Sequence, residues 1–186
     1  MPLRVTEAPP EVRRQAAAYV YELAAPDGAF PALRDVDREE LALVAPHRIY
    51  TAGLSALVDR GLDAAVPAGW RYLVADGPRV VAGVELAGDE SPLLNGGPYV
   101  TATASAIDRL EARPEVADGD VELRLLKVPA LHVVAAWVVG GPSLVTPLAP
   151  VPSFLEAGRA YTEEEFAAAV REPARRVLAA EAPSGG

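Results

Sequence analysis

The sequence predicts an α+β fold. One domain spans residues 1–186, with an antiparallel sheet of about four strands in two hairpins and N-terminal, middle and C-terminal helices packed on it. Three observations predict this. The stretch Val121–Val139, VELRLLKVPALHVVAAWVV, is a long apolar run rich in β-branched residues and reads as the centre of the sheet. Trp70–Asp76 and Arg79–Leu86 flank an Asp76-Gly77-Pro78 turn and read as a hairpin. Apolar residues recur at helical spacing towards both ends of the chain.

Taken in order, residues 1–10 read as a loose tail. Pro9-Pro10 introduce a helix over 11–24 that turns Val12, Ala16, Tyr19, Val20 and Leu23 inward, and Pro26-Asp27-Gly28 turns the chain after it. Asp37 is placed to cap a short helix from Arg38 that Pro46 ends. A second helix follows, with Ile49, Tyr50, Gly53, Leu54, Leu57 and Val58 as its stripe and Gly61 as its stop. After the hairpin, residues 88–98 read as a polar loop and 99–113 as a helix, and Asp118-Gly119-Asp120 leads into the central stretch.

The central stretch divides at Pro129, which cannot donate to a ladder and is read as a turn between two strands. Before it, Val121, Leu123 and Leu125 alternate with Glu122 and Arg124, as in a half-buried strand. After it, Leu131–Val139 is apolar on both faces apart from His132, as in a strand covered on both sides. Gly140-Gly141-Pro142 ends the run, and residues 142–152 form a Pro-rich strap. Thr162 and Glu165 make a capping box for a last helix that buries Phe166, Ala169, Val170, Val177 and Leu178. Pro173 is expected to kink or break that helix, and 181–186 form a second loose tail.

Composition narrows the function classes. The chain is acidic, with a net charge of −9, and its only lysine is Lys127, so a nucleic-acid partner is not expected. Cysteine is absent, which removes disulfides, thiolate nucleophiles and cysteine-held zinc. The N-terminal residues show no secretory apolar core and no segment has the length of a membrane span, so a soluble, cytoplasmic protein with no membrane partner is expected.

No motif assembles a catalytic, metal or cofactor site. His47 and His132 are the only histidines. One reads as following a helix start and the other as opening a strand, so they are expected to be one exposed and one hydrogen-bonded at a sheet edge. Asp35-Val-Asp37 and Asp118-Gly-Asp120 lack the glycine and the final glutamate of a calcium loop, and Gly53-Leu-Ser55 lacks the second glycine of a nucleophile elbow. Trp70, Tyr72, Tyr99 and Trp137 read as core aromatics, with a pocket wall as the other use.

Two functions follow as expectations. The first is a non-enzymatic regulatory or structural domain that binds a protein partner or itself. Its apolar surface would be Val134 and Val138 of the central strand with Leu144, Val145 and Leu148 of the strap. A homodimer is preferred to a strap that covers its own strand. The second is a small-molecule-binding protein or enzyme with a pocket between helices and sheet, in which Glu85, Glu122, Arg124 and His132 are the polar groups.

Overall fold

The computed structural model describes residues 6–24, 30–88, 90–117, 120–141 and 143–181. The turn expected at 26–28, the Asp118-Gly119 pair, Pro142 and the tail residues 1–5 and 182–186 lie outside the described residues. Within them, Pro10 begins the first helix and Ala8 packs on the core beneath it.

Among the described residues eight strands form one mixed sheet: β1 (Leu41–Thr51), β2 (Val66–Asp76), β3 (Arg79–Leu86), β4 (Leu93–Asn95), β5 (Glu122–Val128), β6 (Val133–Val139), β7 (Leu144–Pro147) and β8 (Tyr161–Thr162). Their order is β4-β3-β2-β1-β5-β6-β7-β8. Each half is an antiparallel meander, and the halves join where β1 and β5 run parallel. This overturns the expected four-stranded antiparallel sheet. The hairpin of β2 and β3 is present, and Pro129–Leu131 is a 3₁₀ turn between β5 and β6. The missed strands are β1, β4, β7 and β8.

The structure departs most from the sequence expectation at β1, where the spacing predicts two helices. Asp37 does cap, but what it caps is a turn: its Oδ1 accepts from the Glu39 amide at 3.0 Å and its carbonyl from the Glu40 amide, and the chain then enters β1. Pro46 ends no helix, because it sits in a bulge where its missing N–H costs no ladder bond. The polar loop contains β4, and the strap contributes β7, whose Val138↔Leu144 and Trp137↔Val145 pairs extend the sheet from β6.

Among the described residues five helices cover the sheet: α1 (Pro10–Leu23), α2 (Leu54–Arg60), α3 (Pro98–Glu111), the single turn α4 (Pro114–Ala117) and α5 (Glu163–Glu181). On one face α3 sets Val100, Ala106, Ile107 and Leu110 on Ile49, Leu73, Leu123, Leu125, Ala136 and Val138. On the other, Ala16 and Val20 of α1 lie on Tyr72, Val74 and Val84 of the first meander. Leu57 of α2 with Phe166 and Val170 of α5 lie on Leu126, Ala135, Trp137 and Val145 of the second. Burial on both faces explains why the second half of the central stretch has no polar side. The helix α5 runs on through Pro173. No described helix is long and apolar enough to cross a membrane.

Candidate functional site

Two bulges in the first meander bring polar side chains together. From Leu41↔Asp76 to Val44↔Leu73 the β1–β2 register is regular, but the next pair is His47↔Arg71, so Ala45 and Pro46 together face Tyr72. Ala45 takes the left-handed conformation at φ 47° to make the bulge. In the hairpin, Ala75 faces Val80 but Val74 faces Ala82, so Val81 is an extra residue in β3. Residues directly opposite on neighbouring strands project to one face. The first bulge therefore places His47, rather than Pro46, beside Arg71. The second places Glu85, rather than Val84, on Arg71's other side. The result is a row across β1, β2 and β3, His47–Arg71–Glu85, that Leu93 of β4 completes.

The row is buried and charged. Arg71 is only 2% exposed, and its Nη1 donates to Thr103 Oγ1 of α3 at 3.2 Å. The Thr103 hydroxyl in turn donates to the Tyr99 carbonyl at 2.6 Å. Arg71 Nε lies 3.8 Å from Glu85 Oε1, close enough for ion pairing, yet it has no hydrogen-bond acceptor. Lys127 of β5 reaches over the two intervening strands to donate to Glu85 Oε2. Gly83 gives the guanidinium its space: a Cβ there would lie 2.9 Å from Arg71 Nε.

His47 is 1% exposed. Its Nδ1–H donates to the Ala45 carbonyl at 2.7 Å, which fixes the tautomer and leaves Nε2 as a buried lone pair without a donor. Burial first, and the neighbouring Arg71 charge second, lower its pKa from 6.5 to about 4, with the Ala45 bond opposing. The imidazole is thus neutral at ordinary pH. Burial also lowers the pKa of Arg71, Glu85 opposing, but an arginine keeps its proton in proteins.

The charged end of the row opens into a cleft of about 430 Å³. Arg71, Glu85 and Lys127 form its polar floor, with Asn95, Gly96 and the first turn of α3 on one side and the β5–β6 turn on the other. Leu93, Pro129 and Val134 supply apolar wall. His132 stands at the rim, held at φ 52° by the end of the 3₁₀ turn. A site of this size, largely apolar with a few convergent polar groups, suits a small organic molecule.

Of the four pocket residues expected from sequence, Glu85 and His132 line this cleft. Glu122 and Arg124 do not: they hydrogen-bond to each other at 2.6 Å on the opposite face, where the Arg124 guanidinium lies 4.5 Å from the Tyr50 ring centre and 5.1 Å from that of Trp137. Sequence reasoning missed Arg71, Lys127 and Thr103 as members of the site. Of the four aromatics, Tyr99 lines the cleft, while Tyr72 and Trp137 are core. His47, expected at a helix start, is a buried strand residue.

The apolar surface named for a protein partner is interior. Val138, Leu144, Val145 and Leu148 are buried, and Val134 is half-buried at the cleft wall. Val138 and Ala136 lie in one apolar cluster with α3 and with Leu144 and Leu148 of the strap. Among the described residues the exposed large apolar side chains are Tyr21, Val66 and Leu93, and no His/Asp/Glu cluster could hold a metal ion. Comparison of the chain with models of known protein families, with curated proteins and with solved structures finds no match.

Proposed function

We propose that this chain is a small-molecule-binding protein whose ligand occupies the cleft between the start of α3, strands β3 and β4, and the β5–β6 turn. The observation that carries this reading is the buried row itself. A fold gains little from interring an arginine and a carboxylate, since apolar residues of similar volume serve stability as well or better. Here two register shifts and a glycine are spent on seating them, and Lys127 converges on them from the other half of the sheet. Buried polar groups that converge where a cavity opens are the features by which a binding site is picked out.

Fragment screening by amide NMR on the ¹⁵N-labelled chain tests the reading. Hits should shift amides at Asn95, Gly96, Tyr99, Lys127 and Val134 together. Hits confined to the groove of about 390 Å³ between α1 and β1, lined by Arg13, Tyr21 and Arg38, would move the site elsewhere. A screen with no hits would leave the cleft as a packing defect.

A further inference from the structure

We infer that the ligand of this cleft is a small organic anion, a carboxylate or a phosphate ester, whose charged group sits over Arg71 and Lys127 and whose body lies along Leu93, Pro129 and Val134. The inference rests on the small-molecule reading above and adds the charge of the ligand.

Charge on the cleft floor does not cancel. Arg71 and Lys127 bring two positive charges and Glu85 one negative, and Glu85 already engages both cations. The other polar side chains around the cleft, Asn95, Tyr99 and His132, bring no carboxylate. Nor does His47, neutral behind Arg71. The first turn of α3 adds the positive end of a helix of 14 residues that no side chain caps, with Gly97 at its N-cap. Arg71, which lines the cleft, carries in its Nε a buried donor still lacking an acceptor. A locally positive hollow on a chain of net charge −9 is a feature that draws an anion against the field of the molecule as a whole. An anionic oxygen at the floor would supply charge compensation and accept from Lys127. A cationic group there would meet two like charges in a partly desolvated space, which costs more than it would in water.

A matched series of near-identical shape isolates charge: benzoate, benzamide and benzylamine, titrated into the full chain at neutral pH with the amides of Gly96, Tyr99 and Val134 as reporters. Benzoate should bind at least about tenfold more tightly than benzamide, and benzylamine should be the weakest. Lys127→Gln should reduce the benzoate preference several-fold, while Lys127→Arg, which keeps the charge, should retain it. If benzamide matched benzoate, or benzylamine bound best, the anion assignment would be overturned while the small-molecule reading stood. If none of the three shifted the reporters at millimolar concentration, both would fall. If benzoate bound equally well to wild type and Lys127→Gln, the charged group would not sit where it is placed here.

Discussion

At the scale of the residue, the protein's pH response should centre on His47. Its folded pKa of about 4 lies below the ordinary 6.5, so between these values the unfolded chain binds a proton that the folded chain does not. Stability from this residue is therefore complete above about pH 6.5 and is lost as the pH falls towards 4, by roughly 3 kcal/mol over the interval. Urea melts between these pH values, compared with the same melts of His47→Gln, should show a steeper acid loss in the wild type. Parallel pH profiles would mean that His47 is not buried neutral. The ion pair makes a second prediction. Glu85→Leu leaves Arg71 interred without its carboxylate and should cost roughly 3–5 kcal/mol. The double variant Arg71→Met with Glu85→Leu should lose less than Glu85→Leu alone, since no charge is then stranded. A double variant worse than the single would show that the row stabilises the fold on balance.

Individual elements differ in how far the sequence reveals them. The capping box of α5 was legible because it is local: the Thr162 amide donates to Glu165 Oε2 at 2.8 Å, and the Glu165 amide to Thr162 Oγ1 at 3.1 Å. Thr162→Ala should accordingly cost about 0.5–2 kcal/mol, and Phe166→Ala, which empties a fully buried site, about 3–5 kcal/mol. Thermal melts giving the reverse order would contradict the packing of α5. The charged row was not legible, because it depends on register. Continuing β3 from its turn without the extra Val81 sets Arg71 opposite Val84 and sends Glu85 to the other face, and nothing in RVVAGVEL announces the insertion. Lys127 stood out only as the sole lysine, since its contact with Glu85 joins residues 42 apart in sequence. The strand β1 is hidden in the sequence for a related reason. Bulge and Pro46 interrupt its alternation, and what remains resembles a helix end.

Across the whole molecule, the pairing of two meanders through parallel β1 and β5 puts the most apolar strand, β6, inside the sheet between β5 and β7, with helices on both faces. The expectation of a dimer rests on a shortage of apolar cover, and α3, which the sequence predicts as a helix without assigning it to this face, supplies that cover together with Leu144 and Leu148 of the strap. The sheet ends in β4 and β8, strands of 3 and 2 residues, which offer little ladder to a second chain. Light scattering at micromolar concentration should therefore give the mass of a single chain. A stable dimer would require an interface outside the strand and strap residues that are interior here.

Two bulges set His47, Arg71 and Glu85 in one buried row whose charged end opens into the cleft, and NMR titration of the His47 imidazole is the direct probe of that arrangement. With only two histidines in the chain, a His47→Gln variant assigns the signals. The wild-type His47 midpoint should fall near 4, and Arg71→Met should raise it while burial still holds it below 6.5. A midpoint near 6.5, or one indifferent to Arg71→Met, would contradict the register that builds the site.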